Sequence, residues 1–148
     1  MNTLLARLWH QIGLMYRFIG IRSGQKDAFL NAERAFSRAL DYLPGYQLAR
    51  YNRALLYWRE LQAAEKAVTD LTPLAEEDYK DAHFIRAMAH QALGNYHAAV
   101  ADLEAFLVRH PFGRSSNNAI SQLNALYAIV DDMPPGIESS SPDKHENL

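Results

Sequence analysis

Residues 83–111 read HFIRAMAHQALGNYHAAVADLEAFLVRHP, and this stretch decides the fold. Two short helical patterns, about 80–92 and 96–109, flank a Leu93-Gly94-Asn95-Tyr96 break. Glycine readily adopts the left-handed conformation that ends a helix. Pro111 lacks the backbone N–H needed to continue the second helix. Ala87 and Ala99 are small and stand where the two helices can touch closely. The unit reads as a helical hairpin closed by a proline.

The same unit recurs along the chain. Gly20, Ala54, Ala87 and Ser121 fall 34, 33 and 34 residues apart. All four are small, and each lies midway along the first helix of a predicted pair. In the second helices Ala32, Ala64 and Ala99 recur, followed by Phe36, Val68 and Leu103, then by Ala39, Leu71 and Phe106. Steps of four and then three keep each trio on one helix face. Pro44, Pro73 and Pro111 close the pairs. A register held over about 100 residues is the signature of a repeat architecture.

Ala87, Leu93-Gly94-Asn95-Tyr96, Ala99, Leu103 and Pro111 resemble the tetratricopeptide repeat, and the resemblance covers about residues 14–130. It implies an all-α, right-handed α-solenoid of three helix pairs plus a capping helix. The pairs are expected at about 2–44, 46–74 and 80–111, with the cap at about 116–131. Two features depart from the family pattern. Arg50 and His83 stand where a large apolar residue is usual, and the middle pair's connection is two residues short.

Individual elements follow from local signals. A helix over 2–22 carries one apolar stripe of Leu5, Leu8, Ile12, Met15 and Ile19 and a second of Leu14, Phe18 and Ile21. A helix apolar on two sides is expected to pack on two sides. Ser23-Gly24 ends it, and Asp27 is the expected N-cap of a helix over 28–42. A third helix is read from Gln47 to Glu60, and Leu61-Gln62 is a tight connection. A fourth runs from Ala63 to Leu71, broken early by Pro73. Ser115 or Ser116 is expected to cap the last helix, whose inner face is read as Ile120, Leu123, Tyr127 and Val130. Its Asn117, Asn118, Ser121, Gln122 and Asn124 suit a polar cap on a solenoid end. Residues 1–132 form one helical domain on this reading. Residues 133–148, rich in Pro, Ser and charge, form a disordered tail.

Composition bounds the chemistry. With 148 residues and no cysteine, the chain is one domain without disulfide or thiolate chemistry. Residues 1–60 carry a balance of +5 and residues 61–148 a balance of -7. The first 26 residues hold no acid, only Arg7, Arg17, Arg22 and Lys26. No apolar run is long enough to span a bilayer. His83, His90 and His97 are spaced by seven, whereas helical metal ligands sit three or four apart, so no metal site is read there. Glu76-Glu77-Asp78 lacks the spacing of a calcium loop. No phosphate loop or nucleophile motif is present, so no enzyme activity and no cofactor are expected. Arg17, Arg22, Arg50, Arg53 and Arg59 are read as stems covering apolar surface rather than as a nucleic-acid patch, because the chain is not basic overall.

The resemblance implies that the first helices line a groove that binds peptides. The matching residues are Arg17 and Ile21, then Tyr51, Asn52, Leu55 and Trp58, then Phe84, Met88 and Gln91. Helical spacing agrees, since 51, 55 and 58 share a face, as do 84, 88 and 91. Some family members clamp a chaperone's terminal carboxylate with basic and amide side chains. Arg17 and Asn52 fit such a clamp, but Ile21, Phe84 and Met88 replace its other polar members. The expected partner is therefore an apolar peptide or amphipathic helix of another protein, bound in the cytoplasm. The alternative that these residues are core, or are covered by a terminal segment, stays open. Two other functional readings are carried with it: a membrane-associated assembly factor using residues 1–22, and a self-associating scaffold.

Overall fold

The computed structural model describes residues 1–133, and the tail expected beyond them lies outside the described residues. Seven helices make up the described chain: α1 (Asn2–Ser23), α2 (Lys26–Tyr42), α3 (Gln47–Arg59), α4 (Ala64–Glu76), α5 (Ala82–Ala92), α6 (Tyr96–Arg109) and α7 (Arg114–Asp131). Each packs on the next, and α1 also meets α3 as α3 meets α5. The first helices of the pairs therefore lie side by side. No strand occurs among the described residues, and the architecture is an all-α helical repeat. No helix among them is long and apolar enough to cross a membrane.

The repeating small residues sit where close approach requires them. Ala54 and Ala87 are completely buried, and Gly20 is buried. A Cβ at Gly20 would lie 2.6 Å from the Phe29 ring, and one at Gly13 would lie 2.6 Å from the Phe36 ring. Aromatic rings of α2 thus fill two glycine notches in α1. These notches, seven residues apart, choose the face that α1 buries: Ala6, His10, Gly13 and Gly20. This corrects the expectation that α1 packs on two apolar sides. Leu4, Leu8, Met15, Phe18, Ile19 and Ile21 are exposed. Fit between rings and glycines outweighed the larger apolar area of the outer stripe.

Helix boundaries differ from expectation where local signals were overridden. Gln25, not Asp27, precedes α2, and Asp27 lies in its first turn, where its charge complements the helix dipole. α4 runs through Pro73 to Glu76 instead of stopping at Leu71. Leu74 and Ala75, both buried in the second-pair core, hold that last turn in place. The short α3–α4 connection is made by Gln62 in the left-handed region (φ 50) and a bond from the Ala63 N–H to the Tyr57 carbonyl of 2.8 Å. Gly24 (φ 71) and Gly94 (φ 76) end α1 and the α5 turn as anticipated. Ser116 lies inside α7, buried, and its hydroxyl donates to the His110 carbonyl at 2.6 Å. The inner face of α7 is Ser116, Ala119, Leu123 and Leu126, while Ile120 and Tyr127 are exposed, which corrects the expected face by a rotation of the helix. Ser121 is exposed, because no second helix packs on α7 among the described residues.

The core forms between layers. One cluster joins α3, α4 and α5 through Leu55, Leu71, Leu74 and Ile85. Another joins α5, α6 and α7 through Leu103, Phe106, Leu123 and Leu126. A third places Phe36 between Ala32 and Leu56.

Candidate functional site

The nine sequence-derived groove residues all fall on the three adjacent first helices, but in different environments. On α1, Arg17 is part-buried and Ile21 is 59% exposed. On α3, Tyr51, Asn52 and Trp58 are part-buried. Leu55 is buried at 7% exposure inside the core, which corrects its placement as a surface anchor. On α5, Phe84, Met88 and Gln91 are part-buried. Tyr51, Trp58 and Phe84 pack against the α3–α4–α5 cluster. Phe84 and Met88 pack against the α5–α6–α7 cluster. Phe84 thus bridges two layers, with its ring centroid 5.4 Å from that of Phe106. The helices bring these side chains together, but as the outer skin of the core rather than as a free apolar patch.

Arg17, Asn52 and the Tyr51 hydroxyl are already engaged. Arg17 Nη2 lies 2.8 Å from Glu60 Oε1, and Nε donates to Oε2 at 3.2 Å, tying α1 to the end of α3. Asn52 Nδ2 lies 2.8 Å from His10 Nε2. Burial lowers the His10 pKa and so favours the neutral ring. The Tyr51 hydroxyl donates to Asp81 at 2.6 Å. Burial first, and then that bond, push its pKa up. Lys80 Nζ sits 4.9 Å above the same ring.

The arginines are held by acids that the sequence did not single out. Arg53 makes two bonds of 2.7 Å to Asp70, and Arg50 lies 3.9 Å from the same carboxylate. Arg86 makes bonds of 2.8 and 2.6 Å to Asp102, with His83 at 3.2 Å. Arg50 and His83, the two departures from the repeat pattern, therefore serve one purpose in successive repeats: each supports a buried aspartate. The signal was present in the sequence, because Arg53 and Arg86, and Asp70 and Asp102, recur one repeat apart. Arg17 and Arg53 are thus not free to form a basic patch. Among the described residues no group of three or more His, Cys, Asp or Glu is arranged to hold a metal ion.

No family model matches the chain, and no curated protein matches it. Solved structures do. The first tetratricopeptide-repeat domain of Spaghetti (RPAP3), bound to the HSP90 peptide SRMEEVD, is 22% identical, with a TM-score of 0.65 over 83% of this chain and 96% of that one. The Arabidopsis OM64 tetratricopeptide-repeat domain is 20% identical, with a TM-score of 0.69 over 84% and 98%. The second such domain of human RPAP3, in complex with the HSP70 peptide SGPTIEEVD, is 20% identical, with a TM-score of 0.65 over 82% and 98%. The chain has the tetratricopeptide-repeat fold.

Proposed function

We propose that this chain is a protein-interaction module that binds a peptide or helix of a partner protein along α1, α3 and α5. The observation that supports the reading is that α1 meets α3 and α3 meets α5, with Tyr51, Trp58, Phe84 and Met88 left part-exposed on the latter two helices. Interface energy concentrates in such aromatic anchors. The similarity to two peptide-bound domains supports the same class of function. Those peptides end in acidic residues, whereas Arg17 and Asn52 here are occupied by Glu60 and His10. The favoured ligand is therefore apolar or amphipathic, and the chain acts by binding rather than by catalysis.

A displayed library of random peptides tests the proposal. Selected sequences should be rich in apolar residues, and Trp58→Ala should weaken them by about 1 to 3 kcal/mol while helical dichroism is retained. Peptides that bind equally well to the Trp58→Ala protein would move the site elsewhere. Peptides selected for acidic ends, and lost on raising salt, would favour a carboxylate clamp instead.

A further inference from the structure

The outer face of α1 has no partner among the described residues. Leu4 (70%), Leu8 (54%), Met15 (52%) and Phe18 (63%) share the side opposite the buried glycines, with exposed Gln11 standing between Leu8 and Met15 on the same line. Ile19 widens the face to an arc of roughly 100° at 3.6 residues per turn, and Gln11 and Arg22 stand within it. On α7, by comparison, the exposed residues include Asn117, Ser121 and Asn124 beside Ile120 and Tyr127.

Charge selects what covers it. Arg7, Arg22 and Lys26 are exposed along or beside the stripe, and no acid occurs before Asp27. A second copy packing α1 on α1 would bring these cations together with nothing on that helix to neutralise them. A second copy stacking α7 on α1 would set a polar, amide-rich face on an apolar one. A helical partner needs a continuous apolar seam, whereas Gln11 and Arg22 interrupt the line of Leu4, Leu8, Met15 and Phe18. An exposed face that mixes apolar side chains with cations and holds no acid suits a helix lying in an anionic bilayer interface.

We infer that α1 is a peripheral docking face for an anionic lipid surface, with Leu4, Leu8, Met15 and Phe18 entering the interface and Arg7, Arg22 and Lys26 meeting the headgroups. The aromatic members of the proposed peptide site, Tyr51, Trp58 and Phe84, lie on other helices, α3 and α5. A partner could therefore be held while the domain sits on the membrane.

Flotation of the full chain with phosphatidylcholine vesicles, with and without a minority of phosphatidylserine, tests this. The protein should float with the anionic vesicles and much less with neutral ones. Leu8→Gln/Met15→Gln should weaken binding about tenfold or more, because two apolar side chains leave the interface. Arg22→Gln/Lys26→Gln, on the surface and remote from the core, should weaken it about fivefold per charge removed. Dichroism checks that each variant remains folded. Failure to float at low salt, or flotation unaffected by both variants, overturns the inference. A salt-sensitive dimer in light scattering that Leu8→Gln/Met15→Gln abolishes, without flotation, assigns the face to a second copy. Binding of a model acidic amphipathic peptide, lost in the same variant and without flotation, assigns it to a protein partner.

Discussion

Arg53 grips Asp70 through two parallel hydrogen bonds of 2.7 Å, and the aspartate side chain is only 4% exposed. The pair ties the first helix of the middle repeat to the second. Bidentate geometry fixes orientation as well as attraction. Removing one partner strands a desolvated charge, so Asp70→Ala should cost about 3 kcal/mol in urea unfolding. Arg53→Met/Asp70→Leu should recover most of that loss, since a packed apolar pair leaves no charge behind. A cost below about 0.5 kcal/mol for Asp70→Ala would reduce the pair to a surface contact.

Gly13 is retained for space. An alanine there gains up to about 1 kcal/mol of helix propensity. Its Cβ, however, would lie 2.6 Å from the fully buried Phe36 ring, which has nowhere to move. Gly13→Ala should therefore destabilise by about 1 to 3 kcal/mol net. Combining it with Phe36→Leu should cost less than the sum of the two single changes, because the smaller side chain vacates the notch. Thermal melts of the four proteins measure the coupling.

The two ends of the repeat register give a paired test. Ala87 is buried against its partner helix, so Ala87→Leu should destabilise by about 1 to 3 kcal/mol through overpacking. Ser121 holds the equivalent position on α7, exposed to solvent. Ser121→Leu should stay within about 0.5 kcal/mol of the parent in denaturant unfolding. Equal costs at both sites would mean that α7 carries a further packing layer.

His10 makes the fold sensitive to acid. Its pKa is lowered from 6.5 by burial, and its Nε2 lies 2.8 Å from the Asn52 amide. Burial lowers His90 in the same direction. The unfolded chain therefore binds protons that the native state refuses. This contribution is complete above pH 6.5 and is lost as the pH falls below that value. The melting temperature should drop between pH 7.5 and about 5.5, still above the range in which most carboxylates titrate. His10→Gln should flatten part of that drop, as read from melts across the pH series.

The sequence by itself determined the repeat. Small residues at a fixed interval, glycine or proline breaks between helices and a polar last helix are local properties. Local chemistry decides whether a segment is a helix and where it ends. The element order and the all-α class were legible for that reason. What only the tertiary structure decided was orientation and partnership. Whether α1 buries Leu8 or Gly13 depends on which rings α2 presents, and Phe29 and Phe36 chose the glycines. α4 continued past Pro73 because burial of Leu74 outweighed the missing hydrogen bond. Arg53 read as a surface stem until the packing of neighbouring helices set Asp70 beside it. Leu55 and Trp58 share one face of α3, yet α4 and α5 cover the first and leave part of the second uncovered. Periodicity specifies a face, and only the neighbouring helix determines whether that face is core or surface.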